Sequence, residues 1–183
     1  MQTSSGTKRL AVVAALASSI AALGFFAVVF GGVASVAATD EHWGTTEWVL
    51  HTTMKSSVRA AAHDITPPPG VDLRDPALAE RAFGHCSVAC TTCHGAPGIE
   101  PSPWMVTNPP SPVLVETADE WTDGELYWII KHGIKMTGMP ALGPTHQDAD
   151  LWVIAALVRQ LPTMTPEAYE AMAERHHGHD HGM

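Results

Sequence analysis

Apolar residues dominate the start of the chain and then break into helical spacing. Leu10 to Ala38 is almost uninterrupted apolar sequence, relieved only by Ser and Gly. At about 1.5 Å per residue, roughly 20 residues cross a bilayer's hydrocarbon core, so this run is long enough to span. Lys8 and Arg9 precede it, and Asp40 and Glu41 follow it. That asymmetry predicts a cytoplasmic N-terminus with the remainder outside. Ser35-Val36-Ala37 also offers small residues suited to signal cleavage, but signal-peptide apolar cores run only about 7–15 residues. The reading is an uncleaved anchor, and either alternative implies export.

Downstream, the pattern predicts helices separated by long loops. Thr45–Ala62 reads as a helix with Thr45 as N-cap and Glu47 in the first turn, although its hydrophobic face is weak. Pro67-Pro68-Pro69-Gly70 ends it in a stiff connector. A second helix runs from Pro76 to about Cys90, capped by Asp75. Glu125–His132 reads as a third, opened by Thr122 or Asp123. A fourth, from Asp148 through Gln160, places Leu151, Ile154, Ala155, Val158 and Leu161 on one face. Thr165-Pro166-Glu167 opens a last short helix. Gly95–Pro112 holds six prolines and two glycines and reads as loop, as does Gly133–Gly143. No strand signal or internal repeat is evident, so the prediction is all-α. Loops this long in so small a helical domain call for a bulky bound group to hold them.

Composition sharpens this picture. The chain has 183 residues, enough for one modest domain plus an appendage. Its formal charge is −9, and setting aside Lys8 and Arg9 leaves 8 cations against 19 acids, or −11. A surface that acidic repels phosphate backbones and argues against nucleic-acid binding. Three cysteines cannot build a disulfide framework.

Two of those cysteines belong to Cys90-Thr91-Thr92-Cys93-His94, the C-x-x-C-H attachment sequence for c-type haem. The spacing lets both sulfurs form thioethers with the two haem vinyls from one turn, and the adjacent imidazole becomes the proximal ligand. A thioredoxin-type dithiol would need a strand–helix context, and a zinc site would need a second pair of ligands. One such pentapeptide implies one covalent haem c.

A distal ligand must come from later in the chain. Met139, in Thr137-Gly138-Met139-Pro140, is the candidate, because Gly138 permits close approach to a flat cofactor and Pro140 holds Met139 extended. Met136 is a rival, His132 or His146 would give a bis-histidine iron, and an iron with no sixth ligand is the remaining option.

Phe83–His94, Lys131–Pro140 and the helix that opens at Asp150-Leu151-Trp152 resemble a membrane-anchored bacterial mono-haem class I cytochrome c. The resemblance covers about Asp72 to Met164. It implies an all-α class I cytochrome c fold of helices and loops wrapped round one haem, to which the apolar run adds an N-terminal transmembrane helix. In that family a Gly and an aromatic residue stand eight and four positions before the first haem cysteine. Here those positions hold Ala82 and Cys86, so Phe83 or Trp152 would have to fill the crossing of the first and last helices. The family's Pro-x-Leu pattern matches Pro112-Val113-Leu114, implying that the Pro112 carbonyl orients the His94 ring.

The expected organisation is a cytoplasmic stub and transmembrane anchor over 1–39, a juxtamembrane helix and linker over 40–70, the haem domain over 71–165, and a short helix with a His-rich tail over 166–183. Cys86 reads as a small buried residue rather than a redox switch. Trp104 and Trp121 read as packing residues that could reach a haem propionate, and Lys131 and Lys135 as solvated charge that could steer a partner. His176, His177, His179 and His181 in the tail are candidate ligands for copper, nickel or zinc, set against a disordered tail that binds metals only adventitiously.

The resulting expectation is an electron-transfer cytochrome on the inner membrane of a bacterium, its haem domain in the periplasm. It would relay electrons between a membrane quinol-oxidising complex or dehydrogenase and an oxidase or other acceptor, as a free carrier or a complex subunit. The other classes in play are a haem peroxidase or gas sensor with a displaceable distal ligand, and a metal-handling protein acting through its tail.

Overall fold

A computed structural model describes residues 5–180, with side chains as far as His176. The described chain divides into two compact units, one ending at Glu41 and one beginning at His42. The first contains α1 (Ser5–Phe30), whose 26 residues are all exposed and which is long and apolar enough to cross a membrane. It stops eight residues before the end of the apolar run, where Gly31-Gly32 lowers helix propensity.

The second unit is all-α, as its spacing predicts, and no named strand occurs among the described residues. Helix α2 (Gly44–Ala61) starts one residue before the predicted cap, with Trp43 at the N-cap position and no side-chain cap. Its later turns are seated on the domain through buried Val58 and Ala62. Lys55 pairs with Glu120 at 2.6 Å and lies over the Trp121 ring.

Helix α3 (Pro76–Ala89) begins where expected, with the Asp75 side chain accepting from Ala77 N at 2.9 Å. It leads through Cys90 into a single turn, α4 (Thr91–His94). Two further short elements, α5 (Leu114–Thr117) and a 3-10 turn at Ala118–Glu120, follow the proline-rich loop. Helix α6 (Asp123–His132) is fixed at its start by a reciprocal capping box between Thr122 and Glu125.

The crossing of α3 with α7 (Asp148–Gln160) forms the centre of the core. Ala79 and Ala82 on α3 meet an α7 that carries fully buried Ala155 and Ala156, and these small residues let the helices approach closely. Phe83, Leu151 and Leu157 fill the space beside them. Helix α6 packs across α7 with Tyr127 stacked on Trp152, ring centroids 4.2 Å apart and planes 13° apart.

After a 3-10 turn at Leu161–Thr163, helix α8 spans Pro166–Asp180. Its 15 residues make it longer than the short helix expected, and its backbone is helical as far as Asp180. Tyr169 and Met172 are buried, and Phe83 lies between Tyr169 (centroids 5.0 Å) and His176 (5.9 Å). The absent aromatic at position 86 is therefore offset by a Phe83–Tyr169 contact from a helix outside the resembling region.

Arg159, near the end of α7, is the domain's buried cation. It donates to Asp123 Oδ1 (2.7 Å) and to the Ala118 and Trp121 carbonyls (3.2 and 2.5 Å). One guanidinium thus ties α7 to the turn that follows the proline-rich loop and to the start of α6.

Candidate functional site

The two haem-motif cysteines lie one turn apart, Cys90 as the C-cap of α3 and Cys93 within α4, and both side chains are partly buried. Backbone bonds from Cys93 N and His94 N to the Cys90 carbonyl (3.1 and 2.9 Å) fix the turn. Thr91 closes it laterally, with Oγ1 donating to the Cys86 carbonyl (3.2 Å) and lying 3.1 Å from the Tyr169 hydroxyl. Cys86 is buried as expected. Its hydrogen bond to Cys90, together with burial, pushes the Cys86 thiol well up, while the same bond draws the Cys90 thiol down. Cys86, Cys90, Leu157 and Tyr169 line one small apolar cavity.

His94 Nδ1 lies 2.8 Å from the Pro112 carbonyl, the contact that the Pro-x-Leu resemblance implies. A carbonyl can only accept, so Nδ1 donates, and Nε2 is the ring nitrogen left for another partner. The chain reaches this point by turning at Gly95 (φ 67°), where a Cβ would come within 2.6 Å of the Ile99 carbonyl oxygen. Bonds between Ala96 and Ile99 (both 2.8 Å) and from Ser102 N to the Thr92 carbonyl (2.9 Å) hold the loop against the motif.

Met139 sits half-buried on the Gly133–Gly143 loop. Its carbonyl accepts from Ile134 N (3.3 Å), its N–H donates to Thr137 Oγ1 (3.1 Å), and Thr137 Oγ1 donates to the Ile134 carbonyl (2.7 Å). Gly138 meets the other loop, since a Cβ there would come within 2.9 Å of Thr107 Cγ2. Thr107 Oγ1 in turn lies 3.1 Å from Ser111 Oγ, next to Pro112. The Met139 loop and the loop carrying the His94 acceptor are thus in contact. Trp104, Val106 and Met136 on these two loops are strongly exposed apolar side chains.

The rival ligands are engaged elsewhere or point outward. Met136 adopts a positive φ of 62° and is 93% exposed. His132 packs against Trp128, centroids 4.9 Å apart. His146 packs edge-to-face with His85 (4.8 Å), its Nδ1 beside the Leu142 carbonyl and Thr145 Oγ1. His85 was not singled out by sequence reasoning. Its buried Nε2 finds no hydrogen-bond partner among the described residues, and burial next to His146 holds its pKa below the ordinary value.

Other candidates are placed as follows. Trp121 packs against the core beneath Lys55, whereas Trp104 is exposed. Lys131 is neutralised by Asp148 at 2.6 Å and donates to the Tyr127 hydroxyl at 3.1 Å, while Lys135 is exposed. Among the described residues no group of three or more His, Cys, Asp or Glu could hold a metal ion. His176 packs on Phe83 and over Gly84, where a Cβ would overlap its Nε2. The side chains of His177 and His179, and all of His181, lie outside the described residues.

This donor set fits a covalent haem c: paired thiols on one turn, an imidazole whose tautomer leaves Nε2 free, and a thioether on a braced loop. Residues 77–158 match the family model described as cytochrome c oxidase, cbb3-type, subunit III. No curated protein and no solved structure matches the chain. The matched stretch opens inside α3 and closes inside α7, so it takes in the helix crossing, the C-x-x-C-H turn and both loops. With its helices and loops arranged about one C-x-x-C-H turn, this part of the chain has an all-α cytochrome c fold, and its similarity to the family supports a haem electron-transfer cytochrome.

Proposed function

We propose that the chain is a membrane-tethered one-electron carrier. Cys90 and Cys93 would hold one haem c, with His94 and Met139 as the ligands to its iron. The haem domain works on the periplasmic face of a bacterial inner membrane, between a quinol-oxidising complex or dehydrogenase and an oxidase or other acceptor. Bound there, haem c supplies an Fe(III)/Fe(II) couple.

The chain's own part is to hold that couple still. The Pro112 carbonyl, 2.8 Å from Nδ1, orients the His94 ring. Met139 offers a neutral thioether from a loop whose backbone is closed on itself, and such a ligand favours the reduced state over a second imidazole. Were His94 and Met139 both to hold the iron, no open site would remain for a substrate, which would favour relay over peroxidase or gas-sensing chemistry. The tether supplied by α1 would keep the domain concentrated near membrane partners.

The observation that carries this reading is the His94–Pro112 hydrogen bond, because it leaves Nε2 as the only nitrogen able to bind iron. Exposure of the reduced holoprotein to carbon monoxide tests the function. A carrier with both positions closed leaves its spectrum unchanged at moderate gas pressure. Rapid, stoichiometric binding would instead place the protein among the gas-binding or peroxidatic haem proteins.

A further inference from the structure

The two halves of α2 differ in what they meet. From Met54 onward the helix lies on the haem domain through buried Val58 and Ala62, with Lys55 over Trp121. At its start, Trp43, Trp48, Val49 and Leu50 are 74%, 68%, 50% and 53% exposed. Successive residues of a helix are rotated by about 100°, so Trp48, Val49 and Leu50 point three ways. Their apolar surface spreads over about 200° of the helix circumference and does not form the narrow stripe that a groove would need.

Charge follows the same division. Residues 44–53 carry Glu47 as their one formal charge, whereas the following turns carry Lys55 and Arg59. Indole side chains with an apolar body and one N–H donor are suited to the layer between water and hydrocarbon. Twelve residues separate Phe30, the end of α1, from Trp43. Fully extended, that connection reaches no more than about 45 Å, a reach that leaves the start of α2 free to meet the surface that α1 enters.

We propose that the first turns of α2 insert into the headgroup layer of the bilayer that holds α1, with Trp43 and Trp48 as the anchoring side chains. The occupant of this apolar girdle is lipid. Asp40, Glu41 and Glu47 make anionic headgroups unfavourable, so the attraction is apolar, suits zwitterionic lipid and is insensitive to salt. The later turns of α2 then carry this contact into the domain, giving the haem a set stand on the membrane. This inference rests on α1 entering a bilayer and is independent of the haem ligands.

The test uses the full-length holoprotein, alone, in phosphatidylcholine nanodiscs whose acyl chains are brominated just below the headgroup. Bromolipid is expected to quench a distinct part of the wild-type tryptophan emission. W43F/W48F should lose most of that quenchable part, each single variant a share of it, and raised salt should change nothing. Unaltered haem absorption in the variants reports an intact domain. Quenching that is equal in wild type and double variant would overturn the proposal. So would two unquenched indoles in wild type, the result expected if a protein partner or a second copy of the chain covers the girdle.

Discussion

His94 and His132 each end a helix, and each is followed by a glycine with almost the same backbone: φ 67°, ψ −172° at Gly95 and φ 63°, ψ −173° at Gly133. Beyond that shared turn the two loops are built differently. The His94 loop adds to its local bonds contacts that are distant in sequence. His94 reaches Pro112 eighteen residues on, and the turn after Pro112 is clamped by Arg159 from α7. Around Met139 the second loop is held by bonds among Ile134, Thr137 and Met139, with Gly138 against Thr107, and its far end is tied back to α6 by Leu142 N to the Ile130 carbonyl (3.1 Å) and Gly143 N to the Lys131 carbonyl (2.9 Å). One side of the site is part of the core's architecture, and the other is a local clip. Damage to the first should cost stability, whereas damage to the second should chiefly change ligation and potential.

Arg159→Met gives the largest expected loss of stability. It leaves the Ala118 and Trp121 carbonyls and Asp123 without their shared donor, and breaking such a buried pair costs about 3 kcal/mol. Denaturant unfolding of the holoprotein measures it. A loss below about 1 kcal/mol would remove the architectural half of the contrast.

Gly133→Ala follows. It forces a side chain onto a left-handed residue and sets a Cβ 2.7 Å from the Met139 carbonyl oxygen and 2.7 Å from the Pro140 carbonyl carbon. Strain of this kind costs about 2 kcal/mol. Because it falls on the Met139 loop, the variant should show mixed axial ligation in its absorption spectrum, which Arg159→Met should not.

Tyr169→Phe removes the hydroxyl contact to Thr91, worth about 1 kcal/mol. It should leave the potential unmoved, because Tyr169 braces the attachment turn through Thr91. A large potential shift, read by redox titration, would mean that α8 acts on the iron site more directly.

The smallest effect concerns His85 and His146, where α3 meets the end of the Met139 loop. Burial and the neighbouring His146 hold the His85 pKa down, so the unfolded chain takes up a proton near pH 6.5 that the folded one resists. Stability therefore falls as pH drops below that point toward the folded pKa. His85→Phe should flatten this part of the stability–pH curve while leaving neutral-pH stability nearly unchanged. An identical pH dependence in the variant would show that the pair is not the source.

Much of this was legible in the sequence for identifiable reasons. C-x-x-C-H fixes chemistry by residue type at adjacent positions, α7 shows its buried face at spacings of three and four, and Asp75 and Thr122 announce helix starts by capping chemistry. Pro112 could be proposed because a family pattern marks it. Arg159 could not, because its acceptors are carbonyls of a turn with no periodic signature. Tyr169 lay in a helix beyond the recognisable domain, and only the fold shows it meeting Phe83 and Thr91. The seat of α2 was obscure for a related reason: Val58 and Ala62 bury one face, while Trp48, Val49 and Leu50 scatter apolar surface around the rest. The proposed axial pair stands between these cases, with His94 marked by its motif and Met139 by a short Gly-Met-Pro context.

The most direct test of the account is the near-infrared charge-transfer absorption of the oxidised holoprotein, recorded for wild type and Met139→Ala with potentials measured on the same samples. The account predicts a weak sulfur-to-iron band in wild type that disappears in the variant. The potential should fall by on the order of 0.1 V, a fraction of the about 0.8 V that axial ligands span across haem proteins. A wild-type spectrum without that band, or a variant that keeps both band and potential, would contradict Met139 as the ligand and with it the closed-site relay.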